Sequence, residues 1–403
     1  MNGRKVSMLL AVCLTATVLM ASEAAITAIK VDSGIKRVSY NSAIWKKAKF
    51  SEIMLYPQTT IKMNDKKANE LNAKNSAIKA QVAAIYNGRD IAFMIRWPDD
   101  TASVQRGDSL TSYPDGFAVE FAMDYSNPYE LPYIGMGSEG RPVVIHLQKA
   151  VRPFYEPNGH GDVYMQMNRN QTELFGKRLL RFDKKVKKLG SSDYERSFVG
   201  EGFGSMTEIK DGSNKSYARL SYRNKAWTGT LSRPMSDDYV NLHSGAIPVA
   251  FAVWDGAKMG RGGLKNLSRW LSVKLEGTAG GERLISALDK KSPGNPYAGK
   301  AAVATNGCAG CHQMELSDTP NFMGPALSNI GGYATEAYIR ESLVNPSAVI
   351  VPGYNRNAHS RYMWYKNEGD RRMSTMTDYS NLDEKTINDI VAYLQSLKAK
   401  EEQ

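Results

Sequence analysis

The chain of 403 residues contains only three cysteines, Cys13, Cys308 and Cys311. Cys13 lies in residues 1–24, where a charged start precedes a short apolar run and then small residues, as in a cleaved secretory signal. Two cysteines would remain after cleavage. That number excludes a disulfide framework, and too few further Cys and His side chains lie nearby for a four-ligand zinc site.

Long apolar runs are also missing from the sequence. The run Met8–Met20 is too short to cross a bilayer comfortably, and no later segment approaches about 18 consecutive apolar residues. We therefore predict an exported protein, periplasmic or in an equivalent compartment, with no transmembrane segment after signal removal. Retention of the signal as an N-terminal anchor is the alternative, and partners could also hold the protein at a membrane.

Acidic residues are fewer than basic ones, 41 against 52, which gives a formal charge of +11. Loss of Arg4, Lys5 and Glu23 with the signal would leave about +10. This charge is compatible with acidic proteins, anionic membranes or nucleic acid. No nucleic-acid-binding motif accompanies it, and export argues against nucleic acid. The densest basic run, Lys184–Lys188, is either a solvated surface or a docking site for an acidic redox partner.

Residues 54–276 lack the alternation of helices and strands that is typical of a parallel doubly wound sheet. Short strand-like runs alternate with turn residues instead. Asn87-Gly88 between Val82–Tyr86 and Ile91–Trp97 is a strong hairpin signal because both turn positions tolerate positive φ. We predict an antiparallel β-sandwich over residues 25–288. Its further strands are Phe117–Met123, Pro142–Gln148, Ser216–Tyr222, Ala226–Ser232, Val249–Trp254 and Leu271–Leu275.

A polar segment rich in Pro and Gly, residues 289–296, predicts a linker between two domains. Beyond it, residues 297–403 have helical periodicity. A helix over Tyr297–Asn306 runs into the cysteine pair, and apolar residues recur at helical spacing over Ile387–Leu397. Asn381, with Glu384 three residues later, indicates where this last helix begins. We therefore predict a small all-α second domain.

The sequence Cys308-Ala309-Gly310-Cys311-His312 is the attachment signature of a c-type haem. Two thiols on one helical turn reach the two vinyl groups, and the adjacent histidine directs its imidazole at the iron. A redox dithiol is the alternative, but it requires a thioredoxin-like strand–helix context that is missing here. The motif predicts one covalent haem c in an electron-transfer protein.

Three features make residues 292–398 similar to small class I cytochromes c. They are Gly299 in the helix before the cysteines, Gly324-Pro325-x-Leu327, and the terminal helix around Asp389–Leu394. The resemblance implies that the terminal helix packs across the first one at Gly299. It also implies that the sixth iron ligand is a methionine on the loop before the terminal helix.

Met376 matches that family pattern best, in Thr375–Tyr379, although Thr377 replaces the usual proline. Met373 is the alternative ligand, and we assign Met363 to packing. A thioether favours reduced iron and raises the potential. With both axial positions filled, no open iron site remains for a substrate, so electron transfer is the expected role.

Three segments of the predicted sandwich carry a second resemblance. They are Gly135-Met136-Gly137 leading to Pro142–His146, then Trp227–Pro234, then Phe251–Gly256 followed by Gly263–Trp270. Together they resemble the haem b-binding γ subunits that accompany periplasmic molybdenum enzymes of the ethylbenzene dehydrogenase and dimethylsulfide dehydrogenase type. His146 stands where that family has an aromatic residue.

This second resemblance implies one non-covalent haem b whose iron lies between Met136 and Lys265. A lysine amine must be neutral to bind iron, so the site must be dry enough to lower its pKa. Histidine is the commoner haem ligand in proteins. His146, His160 and His243 are therefore the alternative ligands in this domain.

A haem b sandwich fused ahead of a haem c domain is most similar to the γ subunit of nitrite oxidoreductases. The resemblance implies a di-haem electron-transfer subunit with no catalytic residues of its own. Electrons would come from a molybdenum α subunit through an iron–sulfur β subunit, because no cysteine on this chain remains for a cluster. They would leave through haem c to a soluble cytochrome or a terminal oxidase.

Two other functions remain open from the sequence. One is a mono-haem cytochrome c tethered to a sandwich that binds carbohydrate or a surface, since sandwiches host many functions. The other is a cytochrome enzyme with an accessible iron position. No dinucleotide or phosphate-loop motif stands in a fitting strand–helix context.

Overall fold

The computed structural model describes residues 24–104, 113–151, 194–209, 215–318, 323–351 and 363–401. Cys13, His160 and Lys184–Lys188 lie outside these ranges. The strands are β1 Ile26–Lys30, β2 Ser51–Pro57, β3 Ile78–Tyr86, β4 Asp90–Pro98, β5 Gly116–Ala122, β6 Val143–Lys149, β7 Tyr194–Gly200, β8 Thr207–Glu208, β9 Tyr217–Arg223, β10 Ala226–Pro234, β11 Ala246–Trp254, β12 Asn266–Leu267, β13 Leu271–Leu275, β14 Tyr365–Glu368 and β15 Arg371–Ser374. The helices are α1 Lys66–Ala73, α2 Glu282–Asp289, α3 Pro296–Thr305, α4 Ile330–Tyr333, α5 Glu336–Val344 and α6 Glu384–Ser396.

Strands β1–β13 form one hydrogen-bonded network in the order β8-β7-β6-β5-β11-β12-β2-β3-β4-β10-β9. The pairings along this path are antiparallel, whereas β1 lies parallel to both β3 and β13. The network branches at β11, whose first half pairs with β13 and whose second half pairs with β12. This branching lets the two ends of the network fold over each other.

The two ends of the network form two facing layers, and the core between them contains several aromatic side chains. The Phe93 ring of β4 lies 5.9 Å from the rings of both Phe121 on β5 and Phe251 on β11. Trp97 packs in the same way on Phe117, at 6.1 Å. Because β4 is remote from β5 and β11 in the strand order, these contacts join facing layers. They confirm the predicted antiparallel sandwich.

The predicted hairpin at Asn87-Gly88 is present between β3 and β4, but its turn differs from the prediction. Only Gly88 has positive φ, at 84°. Asn87 instead uses its side chain, whose Oδ1 accepts the N–H groups of Arg89 and Asp90 at 3.1 and 2.9 Å. The side-chain oxygen thus takes the place of a second left-handed residue.

The C-terminal part is helical, as predicted, with one added hairpin formed by β14 and β15. Asn295 begins α3, because its Oδ1 accepts the Tyr297 N–H at 2.9 Å. The cap predicted for α6 was wrong. Asp383, and not Asn381, accepts the Thr386 N–H at 3.0 Å and begins that helix.

The polar segment 289–296 is hydrogen bonded to the last helix. Ser292 Oγ donates to the Asn388 carbonyl at 2.6 Å, and the Asn295 N–H donates to Asp389 Oδ1 at 2.7 Å. One buried hydrophobic cluster also runs from Ile134 of the sheet region to Ile339 of α5. The sheet and the helices therefore pack directly on each other.

Within the described residues, none of the helices combines the length and the apolar character needed to cross a bilayer.

Candidate haem sites

The cysteine pair lies on a short turn directly after α3. Gly307, with φ of 69°, ends that helix, and Cys308–Gly310 form one 3-10 turn. The N–H groups of Cys311 and His312 both donate to the Cys308 carbonyl, at 3.1 and 3.0 Å. This turn brings both free, half-buried thiols and the imidazole together, as the motif predicts.

The ring of His312 is held in one tautomer. Its Nδ1 lies 2.8 Å from the Pro325 carbonyl oxygen. A carbonyl can only accept, so Nδ1 carries the proton and the lone pair of Nε2 is left for a metal. Burial lowers the pKa of the imidazole, which keeps it in the neutral form that metal ligation needs. A Cβ at Gly324 would lie 2.7 Å from the ring carbon Cε1, so only glycine leaves the ring in place.

A cleft opens beside this turn, and Met376 lines it together with Cys308, Cys311 and His312. Met373 does not line the cleft and lies on β15 opposite Lys366. The remaining cleft walls are mainly apolar and include Leu327, Ile339, Leu343, Val349, Trp364 and Tyr379.

The loop that carries Met376 is tied to both walls of the cleft. Tyr379 Oη donates to the Asn306 carbonyl at 3.1 Å, just before the cysteines. The Tyr379 N–H donates to the Leu343 carbonyl at 2.9 Å. Met323 also lines the cleft, and the sequence analysis did not consider it, although it directly precedes Gly324-Pro325. The cleft thus fits a covalent haem with a sulfur ligand.

In the sheet region, Met136 is buried and has a left-handed backbone, with φ of 83°. A non-glycine residue rarely adopts this conformation, so its surroundings must hold it there. The Met136 carbonyl accepts the Gly202 N–H at 2.7 Å, and its N–H donates to the Glu120 carboxylate. These two bonds fix the methionine from both sides.

Lys265 is buried next to the same carboxylate, with only 5% of its surface exposed. Its Nζ lies 5.6 Å from the centre of the Trp254 ring. This amine has no hydrogen-bond or salt-bridge partner among the described residues. Burial lowers the pKa of Lys265 and raises that of Glu120. The structure therefore brings Met136 and Lys265 to one buried carboxyl group, and both pKa changes favour a neutral amine.

Two buried side chains in this region, Glu120 and Lys149, were not singled out from the sequence. Glu120 lies in a strand whose residues are all buried, and its Oε1 has no hydrogen-bond partner among the described residues. Lys149 places its Nζ 4.4 Å from the centre of the Trp254 ring. Burial, with help from the Lys265 charge, lowers the pKa of Lys149 to about 7. A lone acidic residue inside an apolar strand was the only available clue to Glu120.

Several small side chains share a face with Glu120. On β5, Ala118 and Ala122 flank it, and β11 supplies Ala250 and Ala252. The same face also carries the bulkier Ile145 and Trp254. The donor set and the Glu120 oxygen that lacks a partner among the described residues fit a prosthetic group held by sulfur and a neutral amine.

The alternative histidines are placed elsewhere. His146 is buried on the opposite face of the sheet, where its ring meets Phe121. Its Nδ1 lies 2.6 Å from Ser197 Oγ, and its Nε2 lies 3.1 Å from Arg233, which can only donate. Both ring nitrogens are therefore engaged in hydrogen bonds and are not available to bind iron. His243 is exposed, and His160 lies outside the described residues.

Comparison with known proteins agrees with this two-part organisation. Residues 42–266 match the sequence profile described as Ethylbenzene dehydrogenase, and residues 297–398 match the profile described as Cytochrome c. A comparison with curated proteins gave no match.

Solved structures include two weak likenesses to carbohydrate-binding proteins. A protein from Bacteroides uniformis, described as carbohydrate-binding, has 7% identity and a TM-score of 0.33 over 62% of this chain and 98% of its own. A family 9 carbohydrate binding module from Caldicellulosiruptor kristjanssonii, in complex with glucose, has 8% identity and a TM-score of 0.28 over 63% and 96%. Scores this low carry no argument about fold or function.

The profile match at residues 42–266 spans more than half of the chain and contains Met136, Glu120 and Lys265. The second match contains the cysteine pair, His312 and Met376. Together the two matches support an electron-transfer subunit with a covalent haem. The chain belongs to the ethylbenzene dehydrogenase family and carries a cytochrome c domain after the family domain.

Proposed function

We propose that this chain is a di-haem electron-transfer subunit of a molybdenum oxidoreductase. A sheet domain over residues 25–288 would hold haem b, and a cytochrome domain over residues 297–403 would hold haem c. The observation that carries the proposal is the meeting of Met136 and Lys265, distant in sequence, at one buried carboxyl group. A bound haem supplies an iron that takes up and releases one electron.

In the cytochrome domain, the thiols of Cys308 and Cys311 would hold a haem covalently. His312 would bind its iron through Nε2, because Nδ1 is committed to the Pro325 carbonyl. Met376 would supply a sulfur ligand from the loop that Tyr379 holds in place. A soft sulfur ligand favours the reduced state and so raises the potential.

In the sheet domain, Met136 and Lys265 would hold the iron of haem b. Burial lowers the pKa of the Lys265 amine, which favours the neutral form whose lone pair can bind iron. The Glu120 carboxylate accepts the Met136 N–H, which helps to hold the backbone of this residue in place. With protein ligands holding the iron in both domains, the chain would carry electrons and perform no substrate chemistry.

The partners of this proposal are a molybdenum α subunit and an iron–sulfur β subunit that delivers electrons to haem b. The cysteines among the described residues are Cys308 and Cys311, both used by haem c, so clusters belong to another chain. The acceptor is a soluble cytochrome or a terminal oxidase. We further propose export to the periplasm and, as the parent enzyme, a nitrite oxidoreductase.

Haem analysis tests the central claim. The pyridine haemochrome spectrum of the purified full-length chain should give one haem c and one haem b, with the haem b extracted by acidified acetone. One haem c with no extractable haem would overturn the two-haem function and favour a tethered binding module. Co-purification from the native host should recover a molybdenum protein and an iron–sulfur protein, and the reaction of that molybdenum protein identifies the substrate.

A further inference from the structure

The loop that carries Met136 also forms part of the contact surface for the cytochrome domain. We propose that electrons pass within one chain, from the sheet site to the cleft, through residues 131–141, with Tyr133 and Tyr338 as positioning residues of that route. This inference rests on the proposed two-haem function. The competing arrangement is that each haem exchanges electrons separately with external partners.

A short series of contacts joins Met136 to the cleft. The N–H of Gly137, next to Met136, donates to the Tyr133 carbonyl at 2.9 Å. The buried Tyr133 ring lies 5.5 Å from the Tyr338 ring, centre to centre. Tyr338 lines the cleft that contains Cys308 and His312. Electron tunnelling is faster through packed atoms than across gaps, and these contacts are continuous.

A second, hydrogen-bonded connection starts at the same tyrosine. Tyr133 Oη lies 2.6 Å from Thr60 Oγ1, and Thr60 also lines the cleft. Gln58 Nε2 donates to the same hydroxyl at 3.1 Å, which fixes its position. Tyr133 therefore reaches the cleft both through its ring and through its hydroxyl group.

Hydrogen bonds also hold this loop on the cytochrome domain. Arg141 donates two hydrogen bonds to the Glu341 carboxylate, both at 2.8 Å, and both side chains are only 19% exposed. The Glu139 N–H donates to the carbonyl of Ile350, which lines the cleft, at 2.8 Å. Paired, partly buried Arg–carboxylate contacts give geometric specificity. A fixed separation suits direct transfer between the sites.

One electron is transferred in this step. The electron leaves ferrous iron in the sheet site, which becomes ferric, and reduces ferric iron in the cleft to ferrous. No bond forms or breaks and no proton has to move. Side chains on the route need only remain packed. They set the distance between the two haem sites and do not themselves gain or lose electrons.

The test is the rate of electron redistribution between the two haems in the full-length protein. Pulse photoreduction delivers less than one electron per chain, and a first-order phase independent of protein concentration then reports intramolecular transfer. Tyr133→Leu and, separately, Tyr338→Leu should slow this phase by about tenfold or more, since reaction rates respond strongly to small changes in spacing. Tyr133→Phe keeps the ring and should retain most of the rate.

Three further measurements separate positioning from general damage. Tyr129→Leu, at an exposed tyrosine, is the matched control and should leave the rate unchanged. Haem content and both midpoint potentials should be unaltered in the tyrosine variants. In Arg141→Ala, amide hydrogen exchange at Glu139 should accelerate, a readout that needs no haem.

The outcomes are distinct. If both haems are present and neither Leu variant changes the intramolecular phase, the route through the Met136 loop is wrong although the two-haem function stands. If the wild-type protein has no haem b, the proposed function itself fails. Loss of haem b in Tyr133→Leu alone leaves Tyr338→Leu to decide the route.

Discussion

Gly299 of α3 lies directly against the backbone of Asp389 in α6. A Cβ at position 299 would overlap the Asp389 carbonyl and lie 2.8 Å from Tyr393 Cβ. The Asp389 side chain meanwhile accepts the Asn295 N–H, which fixes the start of α3 against the same helix. The two helices cross at the one residue that lacks a side chain, as the resemblance to class I cytochromes c implies. This close crossing stabilises the domain that presents Cys308.

Gly299→Ala should therefore destabilise the chain, although alanine is the better helix former. Overpacking against backbone costs about 1–3 kcal/mol, against about 1 kcal/mol gained from helix propensity. Thermal unfolding followed at the haem c absorbance should give a lower midpoint. Gly34→Ala is the control, because a Cβ there meets nothing within 4 Å. An unchanged or higher midpoint for Gly299→Ala would contradict the tight crossing.

The axial sulfur of haem c is tested by comparing two methionines three residues apart. Met376→Ala should lower the midpoint potential by on the order of 0.1–0.3 V, because axial ligands tune haem potentials over roughly 0.8 V. Met373→Ala should leave it unchanged, since Met373 lies on β15 and not in the cleft. Redox titration of both variants measures this. A drop in the Met373 variant alone would reassign the ligand.

Haem b binding is tested at two buried lysines that flank one tryptophan. Lys265→Ala should deplete haem b by about tenfold or more, a typical effect of losing a group that holds a metal, and should leave haem c attached. Lys149→Ala is the matched control, because Lys149 contacts the same Trp254 ring. Its haem b content should stay near that of the wild type. Depletion by Lys149→Ala alone would make Lys149 the ligand and would exclude Lys265.

Local sequence patterns predicted the features of this fold that depend on neighbours in the chain. The Cys308-to-His312 turn needs only one helical turn, and the strand around Phe251 follows from a run of apolar residues. Residues whose role depends on remote partners could not be found in this way. Glu120 is recognisable only once β5 lies beside Lys265, and Tyr133 matters only because α5 places Tyr338 against it. The Asp383 cap was missed because Asn381 offers an equally good local pattern.

The pH dependence of stability is tested at Asp99. Burial, with help from the charge of the neighbouring Asp255, raises the pKa of this carboxyl from 3.8 to about 6. Its Oδ2 has no hydrogen-bond partner among the described residues. Between about pH 4 and pH 6 the folded state holds a proton that the unfolded state has released. The free energy of unfolding therefore falls as pH rises through this window. This loss of stability is complete above pH 6.

Asp99→Asn removes this charge and keeps an oxygen that can accept the Thr101 N–H, which now binds Asp99 Oδ1 at 2.9 Å. After allowance for the partial exposure of Asp99, the variant should be more stable than the wild type by about 1–2 kcal/mol at pH 8. At pH 4, where both proteins are neutral at this position, the difference should vanish.

Urea unfolding at both pH values, with EDTA to remove any divalent cation held by Asp99, Asp115 and Asp255, measures the effect. Asp100→Asn, at an exposed neighbour, should show no such pH-dependent gain. An Asp99→Asn protein that is equally or less stable than the wild type at pH 8 would show that the buried charge is compensated in the folded chain.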